Sequence, residues 1–105
     1  MRGFVLRLLP PRPDFAFTMT DAERAVMDEH ARYWSALAAE GKVLAFGPVA
    51  HPEGPYGIAI VLAEDLEAAE VLRNGDPEVA APRGFRSELA PMSALVTPDG
   101  RYDAS

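Results

Sequence analysis

Two histidines and sixteen acidic side chains are the chain's material for proton chemistry, and His30 stands out among them by position. It lies in Asp21–Glu40, where the spacing predicts an amphipathic helix. At ~100° per residue Val26, Tyr33 and Leu37 point one way and His30 points with them; Met27 and Trp34 flank the stripe, and Asp28, Arg32 and Ser35 lie opposite. An imidazole on a face due for burial is either a structural group, bonded once and inert, or a base that takes and gives a proton near neutral pH. The hydroxyl of Tyr33 is a candidate to polarise a substrate oxygen, and Trp34 to stack on an aromatic ring. Both also fit ordinary core packing at helical spacing. Asp76 precedes Pro77, where it either caps a short helical turn or partners a base.

The other polar candidates are weaker. Gly47-Pro48 either lets the backbone approach a ligand or makes a plain turn. Ser87 is a candidate substrate contact, but no Gly-rich elbow surrounds it to make it a nucleophile. Arg7, Arg83 and Arg86 read as anion contacts or as solvated charge. His51 sits in a Pro-rich loop, and two histidines so placed do not form a metal site. The absence of cysteine removes thiolate catalysis, disulfides and Cys-type metal sites. No phosphate-cradling Gly loop and no dinucleotide fingerprint is present, so the expectation is no cofactor and no metal.

The elements that must position these groups follow from the apolar pattern. Phe4–Leu9 alternates as a strand and is ended by Pro10, Pro11 and Pro13. Pro10–Met19 reads as a loop. Thr20-Asp21-Ala22-Glu23 is a capping box that opens a helix running to Glu40, with Gly41 as its stop. Lys42–Phe46 is a second strand closed by Gly47-Pro48. The turn-rich stretch His51–Pro55 joins it in a hairpin to a third strand, Tyr56–Leu62. Asp65 caps a second helix, Leu66–Arg73, ended by Asn74-Gly75. A fourth strand runs from Gly84 through Leu89, with Ala94-Leu95-Val96 extending it beyond Pro91. Thr97–Ser105 reads as a loose polar tail.

The order β-α-β-β-α-β predicts an α+β, ferredoxin-like domain: a four-stranded antiparallel sheet with two helices on one face. The other face would carry Val5, Leu9 and some of Ala45, Val61 or Leu89. A half-apolar open face on a small domain seeks a partner, and two such sheets packed face to face make a homodimer.

At 105 residues, 49% hydrophobic and 25% charged, the chain fits one globular domain, residues 1–105. Its net charge of -6 argues against nucleic acid and against an anionic membrane surface. The apolar run Phe4–Leu9 is too short to span a membrane and lacks the cleavage pattern of a signal peptide, so the cytoplasm is the default location.

An ordered set of residues carries a family resemblance: His30 followed by Tyr33-Trp34 and Leu37, then Gly41-Lys42-Val43-Leu44, Gly47-Pro48, a third strand after Gly57, and Asp76-Pro77 after the second helix. In these features, roughly residues 4 to 92, the chain resembles the YCII (YciI-like) family of dimeric α+β barrel proteins. The resemblance implies a homodimer through the sheet, with a cleft holding His30 and Asp76 as an acid/base dyad. It implies a small-molecule substrate, aromatic or enol-bearing, and a lyase or isomerase step without a cofactor. One branch of the family resembles dehydrochlorinases of chlorinated hydroxyhydroquinones. Family members often carry an aromatic after Asp-Pro, where this chain has Glu78. The alternative expectation is a non-catalytic binding or interaction module in which His30 and Asp76 form a structural pair.

Overall fold

The structure, a computed structural model, describes residues 1–80 and 83–102. Strand β1 (Arg2–Leu9) is the sheet's spine. Its alternation buries Phe4, Leu6 and Leu8 on one side and exposes Arg7 on the other, as a period of two requires. It pairs antiparallel with β3 (Tyr56–Ala63) and with β4 (Arg86–Pro91), and β2 (Val43–Val49) adds to the far side of β3. The result is an open four-stranded antiparallel sheet in the order β2-β3-β1-β4.

Two main helices contribute to the core on this sheet. The longer, α2 (Asp21–Ala39), opens on the anticipated capping box: Thr20 Oγ1 accepts from Glu23 N at 3.1 Å, and Glu23 Oε1 accepts from Thr20 N at 2.9 Å. It closes with Lys42 N donating to Leu37 O and Gly41 N to Ala38 O, both at 3.0 Å. This paired closure needs a left-handed residue after the cap, and Gly41 supplies it at φ +77° without a Cβ penalty. Helix α3 (Leu66–Asn74) is capped by Asp65, and the short α4 (Pro77–Ala80) follows at once. The core joins Trp34 and Leu37 of α2 and Ala69 of α3 to Phe4, Leu6, Ala59, Val61 and Val43 of the sheet. Each large side chain so buried contributes about 1.5–3 kcal/mol.

Several elements differ from expectation. The Pro10–Met19 connection contains a one-turn helix, α1 (Phe15–Thr18), because Phe15 finds an apolar seat: it is buried and meets Phe85 edge-on at 5.0 Å. Strand β2 does not stop at Gly47-Pro48 but runs through them to Val49. Strand β2 is an edge, where a proline's missing N–H can face outward rather than break a ladder. Ala94–Val96 does not extend β4. Leu95–Thr97 (β5) instead pairs with Gly100–Tyr102 (β6) as a separate hairpin, and Leu95 is buried against Gly3. Part of the polar tail thus lies in this hairpin, and residues 103–105 lie outside the described residues. On the sheet's open face Ala45 joins Val5 and Ile60, as register demands, whereas Val61 and Leu89 belong to the helix side. No helix among the described residues is long and apolar enough to cross a membrane.

Candidate functional site

Asp76 organises the polar centre. Its position between the end of α3 and Pro77 makes it the N-terminal residue before α4, and Oδ1 accepts from Glu78 N at 2.9 Å, the cap expected before a proline. Its other oxygen reaches across to α2. Oδ2 lies 2.8 Å from His30 Nδ1 and accepts from Trp34 Nε1 at 2.7 Å. Cap and partner are thus one role, played by two oxygens. Residues i and i+4 on a helix sit one above the other, so His30 and Trp34 meet the same acceptor. Asp76 is 0% exposed. A buried carboxylate costs several kcal/mol unless its lone pairs are filled, and three donors fill these.

The indole N–H and the backbone N–H can only donate, so Asp76 is an acceptor on both oxygens. The remaining contact is satisfied by Nδ1–H of His30, and in the neutral ring that tautomer makes Nε2 the lone-pair nitrogen. That nitrogen has no hydrogen-bond partner among the described residues. The His30 side chain is 15% exposed, and its ring lines a cavity of about 310 Å³ that Asp76 does not touch.

The cavity lies between the middle of α2, from Met27 to Trp34, and one end of the sheet. Its floor comes from Leu8, Phe46 and Gly57, and its outer wall from the β1–α2 connection through Phe15 and Met19. Gly47 and Pro48 line it too. The connection is held down by Arg12, whose guanidinium grips Glu23 with two bonds of 2.7 and 3.0 Å and also bonds Thr18. The hydrogen bond from Arg12 is the main reason the Glu23 carboxyl is lowered to about 2.

The other expected residues divide between the cavity wall and positions away from it. Trp34 is core and cavity wall at once: it is 1% exposed, lines the cavity, and spends its N–H on Asp76. Tyr33 does not line the cavity. Its hydroxyl donates to Leu72 O and sits against Gly75, where an added Cβ would collide with the Tyr33 hydroxyl. Burial, and then the charge of Asp76, push the Tyr33 phenol upward. Ser87 pairs with Leu8 across the sheet and stays off the cavity lining, and Arg7 pairs with Glu88 at 3.0 Å. Among the described residues no cluster of three or more metal-ligating side chains occurs.

Glu78 is the group the sequence reading left without a role. It is 2% exposed, and its carboxyl is pushed up to about 7. Burial is the main cause; the charges of Asp76 and Glu23 add to it, while His30 and Arg83 oppose it. Its only visible signal was an acidic residue in the first turn after a helix-opening proline, which reads as an ordinary dipole partner.

No curated protein matches the chain. Among solved structures it is similar to that of an unknown protein from Galdieria sulphuraria, at 16% identity and a TM-score of 0.44, over 93% of this chain. This chain spans about half, 48%, of that protein's length. The sequence profile of the YCII-related domain matches residues 3–93. With nine-tenths of its length inside that match, the chain belongs to the YCII-related domain family.

Proposed function

We propose that the chain is a small cofactor-independent acid/base enzyme in which His30 moves a proton on a small molecule and Asp76 orients it. The observation that carries this is the 2.8 Å contact from Nδ1 to Asp76 Oδ2 in a histidine that also lines the cavity. A carboxylate on Nδ1 fixes the tautomer and stabilises the imidazolium that forms when Nε2 accepts a proton. The step belongs to the lyase or isomerase type: a proton leaves carbon or oxygen of the substrate for Nε2 and returns at another atom.

The test is a turnover screen of hydroxyaromatics and lactones with wild type, His30→Ala and Asp76→Asn. General-base removal is expected to cost about 10²–10⁴-fold in rate. Turnover that survives His30→Ala undiminished would sink the reading. One observation favours a structural pair instead: Asp76 is wholly buried and bonds Trp34 as tightly as His30. On that reading His30→Ala lowers stability and no substrate is found.

We also read the strand order as the ferredoxin-like split βαβ. The open face bearing Val5, Ala45 and Ile60 is then the surface through which two copies pack as a dimeric barrel. Sedimentation at micromolar concentration should give a dimer; monomer alone would count against it.

A further inference from the structure

The acid/base reading names a base but not its ligand, and the cavity wall is more specific than that. Among the described lining residues only three side chains carry nitrogen or oxygen: His30, Trp34 and Tyr56. Trp34 Nε1 is already committed to Asp76. Tyr56 stands at the sheet end, with the Arg7 guanidinium 4.6 Å from its ring centre and Arg7 itself paired to Glu88. Among the described residues no lysine, arginine, aspartate or glutamate lines the cavity. The rest is aliphatic or aromatic carbon and two methionine thioethers.

Such a wall rejects charge, because an ionised group moved there would lose its water and gain no counter-ion beyond His30. It rejects polyols for the same reason, since each hydroxyl needs a partner and the wall offers almost none. The volume sets the size. A dry cavity of about 150 Å³ accepts benzene, so about 310 Å³ holds a body of one to two rings. Polarity at the single polar point is also fixed. With Nδ1–H directed at Asp76, Nε2 presents a lone pair, and a lone pair calls for a donor.

We infer that this site takes an uncharged, largely apolar ligand of one to two rings that carries a single phenol- or enol-type hydroxyl, whose O–H donates to His30 Nε2. This rests on the acid/base reading for the state of His30; the exclusion of anions and polyols rests on the wall alone. A ligand so held places its acidic proton on the base. Proton transfer would break O–H, form Nε2–H and leave an oxyanion whose charge delocalises into the ring, opposite an imidazolium stabilised by Asp76.

The chain's single tryptophan supplies the readout. Trp34 gives one indole N–H signal in a nitrogen–proton correlation spectrum, and that N–H shares Asp76 Oδ2 with His30. Three probes of one body separate the terms at constant pH: 2-naphthol, 2-methoxynaphthalene and 2-naphthoate. The expected order of affinity is naphthol, then the methyl ether about tenfold weaker for want of the donor, then the carboxylate weakest. His30→Phe, which keeps a ring and lacks the acceptor, should erase the gap between naphthol and its ether; His30→Ala should do the same if the larger ring disturbs the fold. Naphthoate binding as tightly as naphthol overturns the ligand class and leaves the acid/base reading standing. A gap that persists in both variants overturns the donor contact. If the turnover screen is also indifferent to His30, the acid/base reading falls with it. No movement of the Trp34 signal with any probe overturns the inference outright.

Discussion

The two halves of α2 share one stripe and one sheet, yet one half is sealed and the other hollow. Toward the C-terminus Leu37 packs with Val43, Val61 and Phe4, all nearly inaccessible, and Trp34 marks the boundary, in the core on one side and on the cavity wall on the other. Toward the N-terminus Met27 and His30 face a cavity whose floor includes Gly57 and Pro48 beside Leu8 and Phe46. The helix stripe continues; what changes is the sheet, where Gly57 and Pro48 stand opposite each other at the cavity end and bring no large side chain there. Asp76 sits at the junction, bonded once to each half through Trp34 and His30. The lesson is that a site can be made by withholding side chains from a sheet rather than by adding them to a helix.

Mutations can break that contrast or sharpen it. Phe4→Ala, at the sealed end, should cost about 3–5 kcal/mol in urea unfolding, through lost burial plus a void. Asp76→Ala should cost a comparable ~3–5 kcal/mol, because it strands a buried indole N–H and an imidazole at once; a neutral result would show that the junction holds nothing together.

Glu78→Gln works in the other direction. The folded-state value of about 7 lies above the ordinary 4.5. The folded chain therefore keeps a proton that the unfolded chain releases. The Glu78 contribution to stability is fullest below about pH 4.5, falls as pH rises to about 7, and is flat beyond. The variant should remove that slope and gain on the order of 2–3 kcal/mol over wild type at pH 8. Unfolding curves across pH 4 to 8 that run parallel for the two proteins would refute it.

At the hollow end Met27→Ala should cost below about 1 kcal/mol, since its side chain already lacks neighbours on the cavity side; a loss as large as that of Phe4→Ala would abolish the contrast. The smallest effect concerns the wall. Glu23 is lowered to about 2, so its bond to Arg12 contributes fully above the ordinary carboxyl range and is lost only as pH falls toward about 2. Proteolysis of the β1–α2 connection should be slow at pH 5 in wild type and faster in Arg12→Ala.

Much of this was legible in the residues. The alternation of Phe4, Leu6 and Leu8, the Thr20–Glu23 box and Gly41 each encode a local rule, and local rules survive folding. The position of His30 on a buried-side stripe was legible for the same reason, and its partner was reached through the family pattern. Three features were not. Phe15 becomes helical through a contact with Phe85, seventy residues away, which no local pattern carries. Gly47-Pro48 reads as a stop unless the strand is known to be an edge. Glu78 looks like any first-turn acid; only the packing around α4 makes it buried. In each case the deciding fact is long-range, while the sequence speaks clearly only over one or two turns.

The shared oxygen of Asp76 has a consequence for how the molecule opens. Because that atom holds both a core indole and the candidate base, withdrawal of Asp76 releases both at once, and the indole N–H meets water only when the core around Trp34 opens. Exchange of the Trp34 indole hydrogen for deuterium should then require opening of the whole domain and report its global stability. Assembly of the site and completion of folding are, on this geometry, one cooperative event.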